Sequence, residues 1–258
     1  MRDIDDSKAP LLDHLIELRA RLLRSVIALA LAFGVCMYFA KDIFAFLARP
    51  YIEAAGKNSP LIYTKLYEAF FTEIKVALFA AFFVAFPIIA NQIWAFIAPG
   101  LYRHEKKAFL PFLLATPVLF TSGAALAYYF VMPTAFHFFL GFQQSGGEVT
   151  INALPAIADY LSLVMQFIFA FGVAFLLPVL LMLLERAGIV TRQQLKAGRR
   201  YAIVGAFVVA AVITPPDVVS QLMLAIPLCI LYELALIGIW FTERRRAKEA
   251  ASLPAVQE

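Results

Sequence analysis

Charge is scarce in this chain. Asp, Glu, Lys and Arg make up 16% of its 258 residues, while hydrophobic types make up 62%. A water-soluble domain has nowhere to bury that much apolar surface. Cysteine is nearly absent. The two present, Cys36 and Cys229, lie inside apolar runs, so no disulfide is expected. Three histidines, His14, His104 and His137, are too scattered to suggest a metal site. The chain has no Gly-x-x-x-x-Gly-Lys-Ser/Thr loop, so nothing points to ATP hydrolysis. It also lacks a Ser/His/Asp constellation, a His-Glu-x-x-His motif and paired catalytic carboxylates. No enzyme chemistry and no cofactor are expected. Residues 1–130 and 131–258 share no repeat, which counts against a repeat-built solute carrier.

What the chain has is six apolar stretches: Leu23–Ala40, Val76–Ile97, Phe109–Phe130, Ile157–Leu184, Tyr201–Ile213 and Val218–Trp240. They are continuous rather than alternating, which selects helices over a β-barrel. Of the 22 Lys and Arg, 17 fall at the two ends of the chain and in every second gap. By the positive-inside rule both termini are cytoplasmic, and six crossings agree. The remaining five, Lys41, Arg49, Lys57, Lys65 and Lys75, lie on the other side. The net charge of +4 sits beside span ends, where anionic headgroups and topology account for it without nucleic acid. Leu23–Ala40 is not expected to be a signal peptide, because more than 20 residues precede it and no small-x-small site follows.

The expected fold is an all-α integral membrane protein, a curved and kinked six-helix bundle. Residues 1–22 form a cytosolic segment, 23–241 the membrane domain and 242–258 a basic cytosolic tail. Leu11, Leu15, Leu18 and Leu22 share a helical face, which predicts a short surface helix running into span 1. The loop at 41–72 is long enough to carry structure of its own, and a helix over Asp42–Ala54 is predicted to cap the outer face. Pro87, Pro111, Pro117, Pro178 and Pro227 mark four spans for kinks. Thr214-Pro215-Pro216-Asp217 reads as a tight turn. The last two spans look short. Tyr201–Ile213 would make about 20 Å of helix against a core of about 30 Å, and Glu233 interrupts the apolar run that starts at Val218.

The polar residues that stand out are mostly acidic. Glu17 and Glu105 lie on the basic side. Each has a structural reading, with Glu17 paired to Arg21 at i,i+4 and Glu105 to Lys106 or Arg103. Each also has a functional one, as a dock for a guanidinium ligand. Glu233 has apolar neighbours on both sides, and an ionisable group inside a membrane is a functional candidate. Asp159 and Asp217 read as helix caps. Gln166 and Gln221 point polar groups into spans, where helix–helix hydrogen bonds are the ordinary explanation.

These strings resemble the TatC family, the multi-spanning core of the twin-arginine protein translocase. The matching segments are His14-Leu15-Ile16-Glu17-Leu18-Arg19 with Arg21; Gln92-Ile93-Trp94-Ala95-Phe96-Ile97-Ala98-Pro99-Gly100-Leu101-Tyr102 with His104-Glu105; Ala170-Phe171-Gly172-Val173; Val204-Gly205-Ala206-Phe207-Val208; and Thr214-Pro215-Pro216-Asp217 with Ser220-Gln221. The resemblance implies a receptor and scaffold in the cell inner membrane. It would bind twin-arginine signal peptides of folded cargo, form an oligomeric complex with TatA-like and TatB-like single-span partners, and use the proton-motive force. It implies that Glu17 and Glu105 hold the peptide, with Arg19 ordering the N-terminal segment. Pro50, Phe96, Asp217 and Gln221 match further positions that the family uses. Many members carry Glu or Gln in span 4 where this chain has Leu176. Either the partner contact there is apolar, or Gln166 substitutes. The competing reading is an ion-coupled solute transporter using Glu233.

Overall fold

A computed structural model describes residues 9–56, 60–101, 110–144, 152–215 and 217–251. The helices are α1 (Ala9–Tyr38), α2 (Ala40–Ala55), α3 (Glu68–Leu101), α4 (Leu110–Leu126), α5 (Met132–Leu140), α6 (Ile157–Ala174), α7 (Leu177–Arg186), α8 (Arg192–Ala197), α9 (Arg199–Ile213) and α10 (Val218–Ala251). Among the described residues, five apolar helical stretches have the length to cross a membrane: His14–Tyr38, Glu68–Phe96, Phe112–Leu140, Ile157–Arg186 and Val218–Arg244. The sixth pass is α9, which runs antiparallel to α10. Arg199 at its start meets Glu233, and its end at Ile213 leads directly to the α10 turn. α1 packs chiefly on α3, α4 on α6, α7 on α10, and α9 on α10, so the helices form a row with α1 and α9 on its flanks. The start of α1 and the end of α10 lie at one end of the bundle, called here the termini end.

α1 is one unbroken helix, so the residues expected to form an N-terminal helix run straight into span 1. Its residues have no helix breaker to separate them from the apolar run. The prolines act unevenly. α3 and α10 stay helical through Pro87 and Pro227, and α4 through Pro117. Span 4 breaks at Phe175 and Leu176, just before Pro178. Span 3 shifts into a π-helical turn, Ala127–Val131, just before Pro133, a proline not counted among the expected kinks. A proline has no N–H for the carbonyl four residues back. The chain answers by changing register, and Met132 N–H reaches back to the Ala127 carbonyl.

The expectation of two short final spans divides. α9 has 15 residues, about 22 Å of helix, and is short against a core of about 30 Å. α10 has 34 residues and continues past Glu233 through Trp240. Only its apolar part before Glu233 is short. The carboxylate does not end the helix, because it reaches sideways to a cation on α9.

Small residues set the closest approaches. Ala32 and Cys36 of α1, with Ala40 at the start of α2, cluster with Ala77, Ala81 and Ala85 of α3. Both cysteines are free. At the α4–α6 crossing, a Cβ on Gly123 would run into the Phe171 carbonyl oxygen, and one on Gly172 would stand 2.7 Å from the Phe120 ring. Phe120 stacks on Phe86 with centroids 3.9 Å apart, which ties α3 into the same crossing.

The end opposite the termini is closed by α2 and the segment that follows it. Ile62 pairs with Ala156 in an isolated parallel bridge. Glu68, buried at 7% exposure, accepts through Oε2 from the Thr64 and Lys65 N–H groups and the Thr64 hydroxyl. Through Oε1 it accepts from Ala158 N–H, 90 residues away. It thereby caps α6, whose own N-cap, Ala156, has no side-chain acceptor. Asp159, expected to cap, lies exposed inside the first turn instead. Pro50 is buried in α2. The Tyr128 hydroxyl donates to the Phe46 carbonyl and the Tyr160 hydroxyl to that of Leu47, both at 2.7 Å. Tyr51 packs between Phe136 and Tyr160, and burial pushes its phenol above the ordinary value.

Candidate functional site

α1 begins at the termini end and carries Glu17 there on its second turn and a half. Arg21, one turn on, donates to Glu17 Oε1 from both Nε (2.9 Å) and Nη2 (2.6 Å). This is the i,i+4 pair the spacing predicts. Glu17 retains 35% exposure and Arg21 21%. Arg19 is exposed on the neighbouring face. The His14 ring stacks on Phe96 of α3 with centroids 4.3 Å apart and 18° between planes. The stack closes the α1–α3 seam beside Glu17. Two turns of chemistry thus meet at one place: the acidic motif of α1 and the aromatic motif of α3. Nearby, Trp94 Nε1 donates to Thr116 Oγ1 at 2.7 Å, and Thr116 donates on to the Phe112 carbonyl. That chain fixes α3 to the start of α4. Glu105, with its expected pairing to Lys106 or Arg103, lies outside the described residues.

Glu233 is not an isolated carboxylate. Arg199 Nη2 donates to its Oε2 at 2.8 Å, and both side chains are about half exposed. Tyr232, its neighbour, donates to the Leu195 carbonyl of α8. Arg192 pairs with Glu243 at 3.3 Å, and Arg244 lies 4.4 Å from the Trp240 ring centroid. The base of α10 is therefore laced to α8 and α9 by cations that also satisfy its acids. Among the described residues, no three His, Cys, Asp or Glu side chains gather to hold a metal ion.

Gln166 of α6 donates to the carbonyl of Ile213, the last residue of α9. Gln221 of α10 donates to the Phe207 carbonyl of α9 at 3.3 Å. Both glutamines hold α9, as helix–helix hydrogen bonds. Asp217 Oδ1 accepts from Ser220 N–H at 2.7 Å and caps α10, as its position predicts. Asp217 Oδ2 and the Ser220 hydroxyl are buried with no partner among the described residues. Leu176 lies in the break of span 4 and packs against the cluster of Phe86, Phe120 and Val179. Gln166 is ten residues earlier in the chain, about 15 Å along the helix.

Sequence reasoning missed Glu68, Tyr128 and Tyr160. The one available signal was a lone Glu opening an apolar run. The tyrosines gave none, since aromatics in spans are ordinary packing residues.

The family model described as Sec-independent protein translocase protein (TatC) matches residues 13–227. The Sec-independent protein translocase protein TatC of Magnetococcus marinus is 53% identical over 247 residues, covering 96% of this chain and 90% of that protein. The TatC of Escherichia coli K12 is 42% identical over 239 residues, covering 93% and 90%. A crystal structure of the twin-arginine translocase receptor TatC, in the detergent DDM, superposes with a TM-score of 0.77 at 42% identity. It covers 87% of this chain and 98% of that one. A multi-pass helical membrane protein with these motifs, at this identity over nearly its whole length, belongs to the TatC family of Sec-independent protein translocase proteins.

Proposed function

We propose that this chain is the receptor and assembly scaffold of a twin-arginine translocase, binding signal peptides of folded cargo at the termini end. The observation that carries this reading is the placement of Glu17. It stands part-exposed beside the His14–Phe96 stack, at the end of the bundle where the basic residues gather. A cationic peptide needs a carboxylate there, and a guanidinium binds one with two hydrogen bonds. Glu105, four residues past Leu101, is the second proposed carboxylate. Arg19 is proposed to order the segment around Glu17. The solved relative named as the twin-arginine translocase receptor supports the same role.

Recruitment of TatA-like and TatB-like partner helices into an oligomer is proposed for the α9 flank. Only Ala210 of α9 is buried, and Ile203, Val204, Val208 and Val212 are exposed. Asp217 and Gln221 sit beside this surface, and Pro50 holds the cap at the opposite end. The charge asymmetry supports an inner-membrane orientation with both termini cytoplasmic. Cargo export would draw on the proton-motive force. The transporter reading loses its basis, because Glu233 is already neutralised by Arg199.

Replacing both Glu17 and Glu105 with Ala should abolish crosslinking to a twin-arginine signal peptide while membrane insertion persists. Undiminished crosslinking in the double variant rejects the site.

A further inference from the structure

We infer that Arg21 sets the specificity of the peptide site by occupying Glu17 from within, so that an incoming arginine must compete with it. The inference rests on the receptor reading above. Both donors of Arg21 converge on one oxygen, Oε1, and Oε2 accepts no hydrogen bond among the described residues. Half of the carboxylate is therefore taken, and no described residue takes the other half. The occupant is a guanidinium, the same group that a twin-arginine peptide brings.

Two consequences follow from the chemistry. First, the resident charge cancels most of the simple attraction of Glu17 for any cation. What remains is directional, namely hydrogen bonding at Oε2 and partial displacement at Oε1. A planar guanidinium fork exploits that, whereas a lysine ammonium is a point charge without the fork. Second, the resident pair is weak enough to yield. Part-exposed i,i+4 pairs are worth little, which corresponds to a penalty of about two- to fivefold in affinity. Arg21 thus filters weak cations without barring the correct one.

The test uses the purified full-length protein in detergent, with a fluorescent signal peptide carrying Arg-Arg and an otherwise identical Lys-Lys peptide. Dissociation constants are measured for the wild type, Arg21→Gln, Arg21→Lys, Arg24→Gln and Glu17→Ala. Arg24 is exposed on the same helix, and its replacement removes the same charge without touching Glu17. Arg21→Gln should tighten Arg-Arg binding about two- to fivefold and Lys-Lys binding by more, narrowing the ratio between them. Arg21→Lys keeps the charge and loses the fork, so it should move both constants the same way by less. It also serves if Arg21→Gln fails to fold. Equal tightening by Arg24→Gln would mean bulk charge and overturn the proposal. So would unchanged or weaker binding in both Arg21 variants while Glu17→Ala abolishes binding, and the receptor reading would then survive. A wild type that binds neither peptide, or full binding by Glu17→Ala, removes the receptor site and this role with it.

Discussion

The hydroxyl of Tyr128 donates to the carbonyl of Phe46 at 2.7 Å, the carbonyl that Pro50 leaves without its helical partner. In an α-helix the N–H four residues on would satisfy it, and proline has none. The π-helical turn Ala127–Val131 carries Tyr128 to that point, and its ring stacks on Phe46 with centroids 4.4 Å apart. Tyr128→Phe should therefore lower stability by about 1–2 kcal/mol, the range for leaving a buried acceptor unmet. In a Pro50→Ala background residue 50 regains its N–H, so the same change should cost less. A double-mutant cycle on thermal unfolding in detergent measures the difference, and strict additivity would refute the link.

Glu68 joins three stretches of chain through one carboxylate. Gln offers one acceptor where Glu offers two, and its amide would face an N–H donor. Glu68→Gln should loosen either the Thr64–Lys65 side or the Ala158 side, at a cost of about 1–3 kcal/mol. Limited proteolysis at residues 60–67 should speed up in the variant. Unchanged cleavage would show that the carboxylate is dispensable.

The glycines of the α4–α6 crossing should rank by what stands in the way. Gly123→Ala meets backbone and should cost about 1–3 kcal/mol. Gly172→Ala meets the Phe120 ring, which has some room to turn, and should cost less. Gly205, inside α9, has nothing within 4 Å, so Gly205→Ala should gain about 0.5–1 kcal/mol from helix propensity. Thermal midpoints of the three variants give the order.

Arg199 and Glu233 are too exposed for their pairing to carry much stability, about 1 kcal/mol at most. If their hydrogen bond matters for assembly, Glu233→Gln, which still accepts from Arg199, should support export better than Glu233→Leu. Export assays in cells lacking the native protein compare the two. Equal export by both removes that role.

Much of this molecule was legible in one dimension. The six passes came from apolar runs, because a hydrocarbon core demands continuous apolar helix and leaves the backbone no other partner. The Glu17–Arg21 pair, the Asp217 cap and the tight turn after Thr214 came from short spacings, since each joins residues within one turn of chain. Tertiary structure decided the rest. Gln166 read as a helix–helix hydrogen bond with no named acceptor, and the fold supplies it at the end of α9. Glu233 looked isolated until α9 brought Arg199 beside it. Pro50 entered only through the family resemblance, and the fold supplied the tyrosine that meets the carbonyl it leaves free. Glu68 caps a helix 90 residues away. Each of these joins segments distant in the chain, and no local period encodes which distant donor will arrive at an unmet carbonyl or carboxylate.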